Sequence, residues 1–370
     1  MAKFSLTDLT LVIPAYNRPA YLERQIDYWS GTGVQLCILD GSKSPAPPSL
    51  IARMGRDVHY EYMPIGFNER LVHASEIVKT KYVALLGDDE LYVKQGLRDC
   101  LETLENDQRL IGCVGRSLFF FHRDSEIYGH QVYEKSHDLS SMYGNNLVRL
   151  RESFPNGDPG AAPYLLYGIF RREQWITMFS AAYGRHYASG YAYELALLII
   201  GACLGPTKMV DSLVWLRSGE NPAMSSVAVN RKIGTGEWGT AKEFVAEVED
   251  FKMRITETLF QNNVASLAEI EVTVSEICSL FFTYSLQKPH RPIAYWRRFV
   301  YWVARNMPRW AKTILKKNMS KTLGNVLDYK GVAFNNALEQ LRKNGVSFNS
   351  EEMIELRKFL LAFHSKVEGN

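Results

Sequence analysis

Short apolar runs and amphipathic stretches alternate along the first third of the chain. TLVIPA (10–15), QLCILD (35–40) and YVALLG (82–87) are compact and almost wholly apolar, the pattern of strands buried on both faces of a sheet. DVHYEYM (57–63) alternates polar and apolar positions, and LIGCVGRSLFFF (110–121) opens a further strand. Between these runs apolar residues recur every three or four positions. Leu22, Ile26 and Trp29 mark a helix over 19–33, Leu71, Ala74 and Val78 one over 66–81, and LYVKQGLRDCLETLEN another over 91–106. GSKSPAPPS (41–49) is a loop on its Pro and Ser content. Strands alternating with helices predict an α/β fold, a mostly parallel, doubly wound sheet whose right-handed crossovers put helices on both faces.

Beyond residue 121 the periodicity weakens. Residues 122–240 are rich in Tyr, Gly, Pro and Asn, with one clear helix around 189–205 and one strand-like run, SLVWLR (212–217). From about 240 the pattern is helical over 241–260, 267–286, the basic stretch that follows, and a closing pair at 333–345 and 349–366. Gly345 is placed to end the first of that pair, and Asn349 or Ser350 to cap the second. The expected organisation is one domain over 1–240, in halves 9–120 and 121–240, followed by a helical region over 241–370.

Composition narrows the class. The 370 residues are 46% hydrophobic and 22% charged, as in a soluble globular protein. The five cysteines are scattered without paired spacing, which argues against a zinc site or disulfide framework and for a reducing compartment. The N-terminal apolar run is short and is followed by Pro14, which does not suit a signal peptide, and LALLIIGACLG (195–205) is too short to span a bilayer. A cytoplasmic protein is expected. The net charge of +3 conceals an asymmetry: Ile277 to Leu327 holds ten Lys and Arg and no acid, so the remainder is mildly acidic.

Candidate chemistry lies at the strand ends. Open parallel sheets bind ligands beyond the carboxyl ends of their strands. Three of those ends are polar here: Pro14, Ala15, Tyr16, Asn17 and Arg18 after the first strand; Asp40, Gly41 and Ser42 after the second; Asp88, Asp89 and Glu90 after the fourth. Adjacent carboxylates on a strand-end turn suit Mg2+ or Mn2+ shared with a diphosphate. No GxGxxG follows the strands of 9–120 and no Walker A sequence is present, which argues against the usual dinucleotide and P-loop phosphate sites at this crevice. An isolated acidic triplet is more often a solvated turn; it is the register of three strand ends that favours a metal-bound nucleotide.

The sequences LVIPAYNRPAYLERQI, LCILDGS and KTKYVALLGDDELYVKQGL, in this order, resemble the nucleotide-sugar half of a family-2 GT-A glycosyltransferase. Within that family they are similar to a bacterial group with a PTYNRP-like opening and a DDD-like metal motif. The likeness covers about 9–120 and extends more weakly to about 220. It implies a nucleotide-sugar half over 9–120 and an acceptor half over 121–240. Pro14 to Arg18 would line the nucleotide pocket, Asp40 with Gly41 would meet the base, and Asp88 the ribose or the metal's water shell. The last acid of the motif would bind the metal. That position is Glu90 where the pattern has Asp, which leaves open whether Asp89 or Glu90 carries the ion. Glu194, heading an otherwise apolar helix, matches the carboxylate base of inverting members, and Arg217 and Arg70 are candidates for the diphosphate. The implied activity is sugar transfer from a nucleotide diphosphate to a carbohydrate or lipid-linked acceptor, as in bacterial surface polysaccharide or glycolipid synthesis. A rival is a non-catalytic GT-A-like binding or scaffold module with a weakened metal site, which the Asp-to-Glu departure favours.

The basic segment, 288–321, interleaves Trp and Tyr with Lys and Arg. It suits an anionic membrane surface on the inner face of the cytoplasmic membrane. The plainer alternative packs its apolar face on the catalytic domain. Nucleic acid is disfavoured, since no nucleic-acid-binding motif accompanies the segment. The long helical C-terminus offers a surface for a homo-oligomer.

Overall fold

The computed structural model describes residues 5–134, 145–158, 166–221, 233–287 and 331–368. The four N-terminal strands are β1 (Leu9–Ala15), β2 (Gln35–Asp40), β3 (Val58–Tyr62) and β4 (Tyr82–Leu85), and they lie side by side in the order β3-β2-β1-β4, all parallel. β1 is buried along its whole length, as its unbroken apolar run requires. The chain moves outward from β1 to β3 through helix α1 (Pro19–Trp29) and a short helix α2 (Pro48–Ile51), then returns to β4 through α3 (Phe67–Ile77). That reversal, with right-handed crossovers, sets α1 and α3 on opposite faces. The predicted mostly parallel sheet with helices on both sides is observed, and the sheet as a whole is mixed.

The other half of the sheet is mixed. Residues 91–92, expected to start a helix, instead pair as a two-residue strand, β5 (Leu91–Tyr92), before helix α4 (Lys94–Asn106) begins. β6 (Gly112–Arg123) turns back into β7 (Glu126–Val132) as an antiparallel hairpin. After α5 (Asn146–Glu152), β8 (Ile169–Arg171) lies antiparallel between β4 and β6 and leads into α6 (Arg172–Tyr183) and α7 (Tyr191–Leu204). β9 (Thr207–Ser218) runs parallel to β6 and antiparallel to β5. The middle of the chain therefore holds more regular structure than its composition suggests. α6 buries Trp175, Met178, Phe179 and Ala182, a helical stripe, within a sequence of weak overall amphipathicity.

The C-terminal part adds α8 (Thr235–Thr240), α9 (Val245–Gln261) and α10 (Leu267–Gln287), and then β10 (Val332–Ala333), α11 (Phe334–Lys343) and α12 (Ser350–Glu368). α9 packs beside α6 and α7, while β10 extends the central sheet along β7. α12 lies on the α1 side, where Phe359 meets Tyr28 and Phe363 meets Tyr21. All five cysteines are free and buried. Among the described residues no helix is long and apolar enough to cross a membrane. The basic segment 288–321 lies outside the described residues.

Candidate functional site

The carboxyl ends of β1, β2 and β4 meet at one crevice. Pro14 is the last but one residue of β1, beside Leu39 of β2, and the Ala15 carbonyl accepts the Gly41 N–H. Asn17 then takes a left-handed conformation, φ 54°, which turns the chain sharply. Its N–H donates to Ser42 Oγ at 2.7 Å, and its side-chain oxygen accepts from the Lys43 N–H at 3.0 Å, so the first two loops are tied together. Beneath them lies Arg70, 1% exposed, whose Nη1 donates to the carbonyls of Ala15 and Leu39, each at 2.7 Å. A Cβ on Gly41 would fall 2.6 Å from the Arg70 guanidinium carbon, so this turn needs glycine. Arg70 thus braces the floor of the crevice; both of these bonds go to backbone.

Asp40 is 2% exposed, and both of its oxygens are engaged. Oδ1 accepts the Ser42 N–H at 3.0 Å and Oδ2 accepts the Tyr60 hydroxyl at 2.8 Å. Tyr60 in turn accepts the Ala46 N–H at 2.8 Å, which holds the 41–47 loop over the strand end. Between this loop and the β1 turn is a cavity of about 300 Å3, lined by Ala15, Arg18, Leu22, Asp40, Lys43 and Pro45, among others.

The acidic turn after β4 divides into two parts. Asp88 Oδ1 accepts from Arg18 Nη1 at 2.8 Å, and Asp89 Oδ2 is 3.4 Å from the same nitrogen. The Tyr16 N–H also donates to Asp88 Oδ2, at 3.3 Å. Burial pushes the Asp88 carboxyl up to about 6 against the lowering effect of Arg18, and burial also raises Asp89. Glu90 turns the other way, into the core. Its Oε2 accepts the Trp215 indole N–H at 3.1 Å and the Gly87 N–H at 3.4 Å. Burial, with the Asp89 charge adding, pushes this carboxyl up to about 8. Among the described residues no group of three or more His, Cys, Asp or Glu is spaced to hold a metal ion. Asp88 and Asp89 share one cationic partner, and Glu90 does not join them.

Glu194 stands in the first turn of α7, half-buried. Its charge helps raise the Tyr133 and Tyr183 hydroxyls, after burial itself. Tyr133 also feels Arg217 and Glu90, and its hydroxyl accepts from Arg217 Nη1 at 2.8 Å. Its ring stacks on one side of Trp215 and Tyr167 stacks on Trp215 as well, 6.0 and 4.1 Å between centroids. Tyr133 therefore links Arg217 to the residue that holds Glu90.

Sequence reasoning missed the residues that hold the acidic turn from behind. Gln25 Nε2 donates to the carbonyls of Asp88 at 3.0 Å and Glu90 at 2.6 Å, and Arg24 Nη2 to that of Asp89 at 2.5 Å. Asn221 Nδ2 donates to Asp89 Oδ2 at 3.0 Å. The signal for Gln25 was available: it falls on the same helical stripe as Leu22, Ile26 and Trp29, where a polar side chain must find partners.

No family model matches the chain, and neither does any curated protein. Among solved structures it is similar to S. aureus TarS 1–349 in complex with UDP-GlcNAc, at 10% identity and a TM-score of 0.45, covering 92% of this chain and 81% of that one. The same TarS fragment in complex with UDP aligns at 9% identity and a TM-score of 0.44, over 98% and 92% of the two chains. Glucosyl-3-phosphoglycerate synthase from Mycobacterium tuberculosis, in complex with Mn2+, UDP and glucosyl-3-phosphoglycerate, aligns at 18% identity and a TM-score of 0.37, over 59% and 74%.

Proposed function

We propose that the chain is a nucleotide-sugar-dependent glycosyltransferase that moves a sugar onto a hydroxyl acceptor. The observation that carries this is a cavity lined by the ends of β1 and β2, Asp40 and Arg18 among them, to which Arg18 ties the Asp88 and Asp89 carboxylates that follow β4. A buried carboxylate whose oxygens each keep a further acceptor site suits the N–H and O–H donors of a base and ribose. Arg18 and Lys43 supply cations for a diphosphate.

Asp88 and Asp89 fit a divalent ion, since Mg2+ and Mn2+ commonly take one or two carboxylates and complete their shell with water and substrate phosphate. When bound there, such an ion supplies charge neutralisation for the departing diphosphate. Glu90 is left out of the set, because its Oε2 accepts hydrogen bonds from Trp215 and Gly87.

Glu194 is the general base. From the first turn of α7 its carboxylate takes the acceptor's hydroxyl proton. The acceptor oxygen then bonds to the anomeric carbon as the bond from that carbon to phosphate oxygen breaks. The electron pair leaves with the nucleoside diphosphate, and a single displacement inverts the centre. The acceptor class is a carbohydrate or lipid-linked hydroxyl, as in bacterial surface polysaccharide or glycolipid synthesis, with the basic segment on the cytoplasmic membrane surface.

Release of nucleoside diphosphate from UDP-, GDP-, CDP- and dTDP-sugars tests this. Asp88→Ala should abolish it. Glu194→Gln should lower transfer by about 10^2–10^4-fold while leaving nucleotide affinity unchanged. Full turnover in Glu194→Gln would refute the base assignment.

A further inference from the structure

Behind the acidic turn lies a buried polar relay that ends on the C-terminal helix. Arg24 and Gln25, consecutive on α1, together donate to all three carbonyls of Asp88, Asp89 and Glu90. The Arg24 side chain is wholly buried, with Nη1 donating to Glu220 Oε2 at 2.8 Å. Its guanidinium lies between the Tyr21 ring, 4.5 Å away, and the Phe363 ring of α12, 4.7 Å away. The other Glu220 oxygen contacts His364 Nε2 of α12. The His364 ring lies flat on His122 of β6, 4.0 Å between centroids. Next to Glu220, Asn221 reaches the Asp89 carboxylate itself.

A buried guanidinium is stable only where a carboxylate compensates it, and a buried carboxylate only where its own oxygens are satisfied. Each member of the relay therefore depends on the next. Its free end is the backbone of the turn that carries Asp88 and Asp89.

We infer that Glu220 and His364 are positioning residues for the Asp88–Glu90 turn, acting through Arg24, so that the C-terminal helix is a working part of the site. The inference rests on the donor-site reading for its functional consequence, but not for its structural one. Among the described residues His364 meets Glu220, His122 and Phe363, none of which lines the cavity. It fixes the angle of Glu220, which fixes Arg24, which holds the Asp89 carbonyl. Outer partners of this kind typically change affinity or activity by about 10–100-fold when removed.

Hydrogen–deuterium exchange on the full chain tests it, with wild type, Glu220→Gln, His364→Ala, His364→Gln and Leu356→Ala. Leu356 is buried on the same helix and serves as a control for general loosening of α12. Exchange of the peptide over 82–93 should quicken about tenfold or more in Glu220→Gln and His364→Ala. It should be partly restored in His364→Gln, which keeps a donor for Glu220, and unchanged in Leu356→Ala. Equal exchange of 82–93 in Glu220→Gln, His364→Ala and Leu356→Ala would overturn the inference. In parallel, Kd is measured for UDP, GDP, CDP and dTDP with Mn2+. It should rise about tenfold or more in Glu220→Gln and His364→Ala for the nucleotide that the wild type binds. Failure of all four to bind the wild type overturns the donor-site reading, and the exchange measurement still decides the relay.

Discussion

At the scale of single residues, the acidic triplet divides its work. Asp88 and Asp89 face Arg18, while Glu90 is held in the core as a raised, largely neutral acid. Gln has the shape of that neutral acid and keeps an acceptor for the Trp215 N–H. Glu90→Gln should therefore stay within about 1 kcal/mol of wild type in urea unfolding. Glu90→Ala leaves a buried indole N–H unpaired and should cost about 1–3 kcal/mol. Loss of nucleotide binding in a stable Glu90→Gln protein would show that Glu90 touches the ligand or its metal after all. The positions of these acids were legible in GDDE after an apolar run, but their directions were not. Which way Glu90 turns depends on Trp215, far away in sequence, and no local pattern encodes that partner.

At the scale of elements, β1, β2 and β4 could be read directly, because a parallel strand buried on both faces must be continuously apolar. β6 is legible over 110–121, but its hairpin partner β7, short β8 and α6 are not, since short elements and weak amphipathicity leave little periodicity to read. The 41–47 loop shows how an element edge serves the site. Tyr60, on edge strand β3, ties Asp40 to the Ala46 N–H. Tyr60→Phe removes both hydrogen bonds and should cost about 1–2 kcal/mol, with nucleotide affinity falling several-fold as the cavity wall loosens. Calorimetric titration beside urea unfolding checks both parts, and unchanged affinity would separate the loop from the site. Another long-range tie is the Glu352 carboxylate of α12, which accepts the N–H groups of Lys94 and Gln95 at the start of α4, at 2.6 and 3.1 Å. Glu352→Ala should lower stability by about 1–2 kcal/mol in the same assay, as loss of a helix cap does.

At the scale of the whole molecule, the last helix, α12, closes back onto α1 and reaches the acidic turn through Glu220 and Arg24. A sequence pattern predicts that such helices exist but not where they dock, because docking is set by surfaces brought together only by the fold. Their coupling to the site has a pH signature. Burial by itself would raise the Glu220 carboxyl, but His364 and Arg24 outweigh it and hold it below its usual range. Its contribution to stability is therefore complete above the ordinary carboxylate value of about 4.3, and is lost as pH falls through the lower folded value. Unfolding midpoints should fall less on acidification in Glu220→Gln than in wild type, and parallel slopes would contradict this account of the pair. The central claim is that the crevice at the ends of β1, β2 and β4 holds a nucleotide diphosphate. Thermal shift with UDP, GDP, CDP and dTDP, each with Mn2+ and with EDTA, on wild type and Asp88→Ala tests it most directly. A ligand at 100 times its Kd stabilises by about 2.7 kcal/mol, a shift of a few degrees in a chain of this size. The account predicts such a shift for one nucleotide, larger with Mn2+ and lost in Asp88→Ala; no shift for any nucleotide under either condition would contradict it.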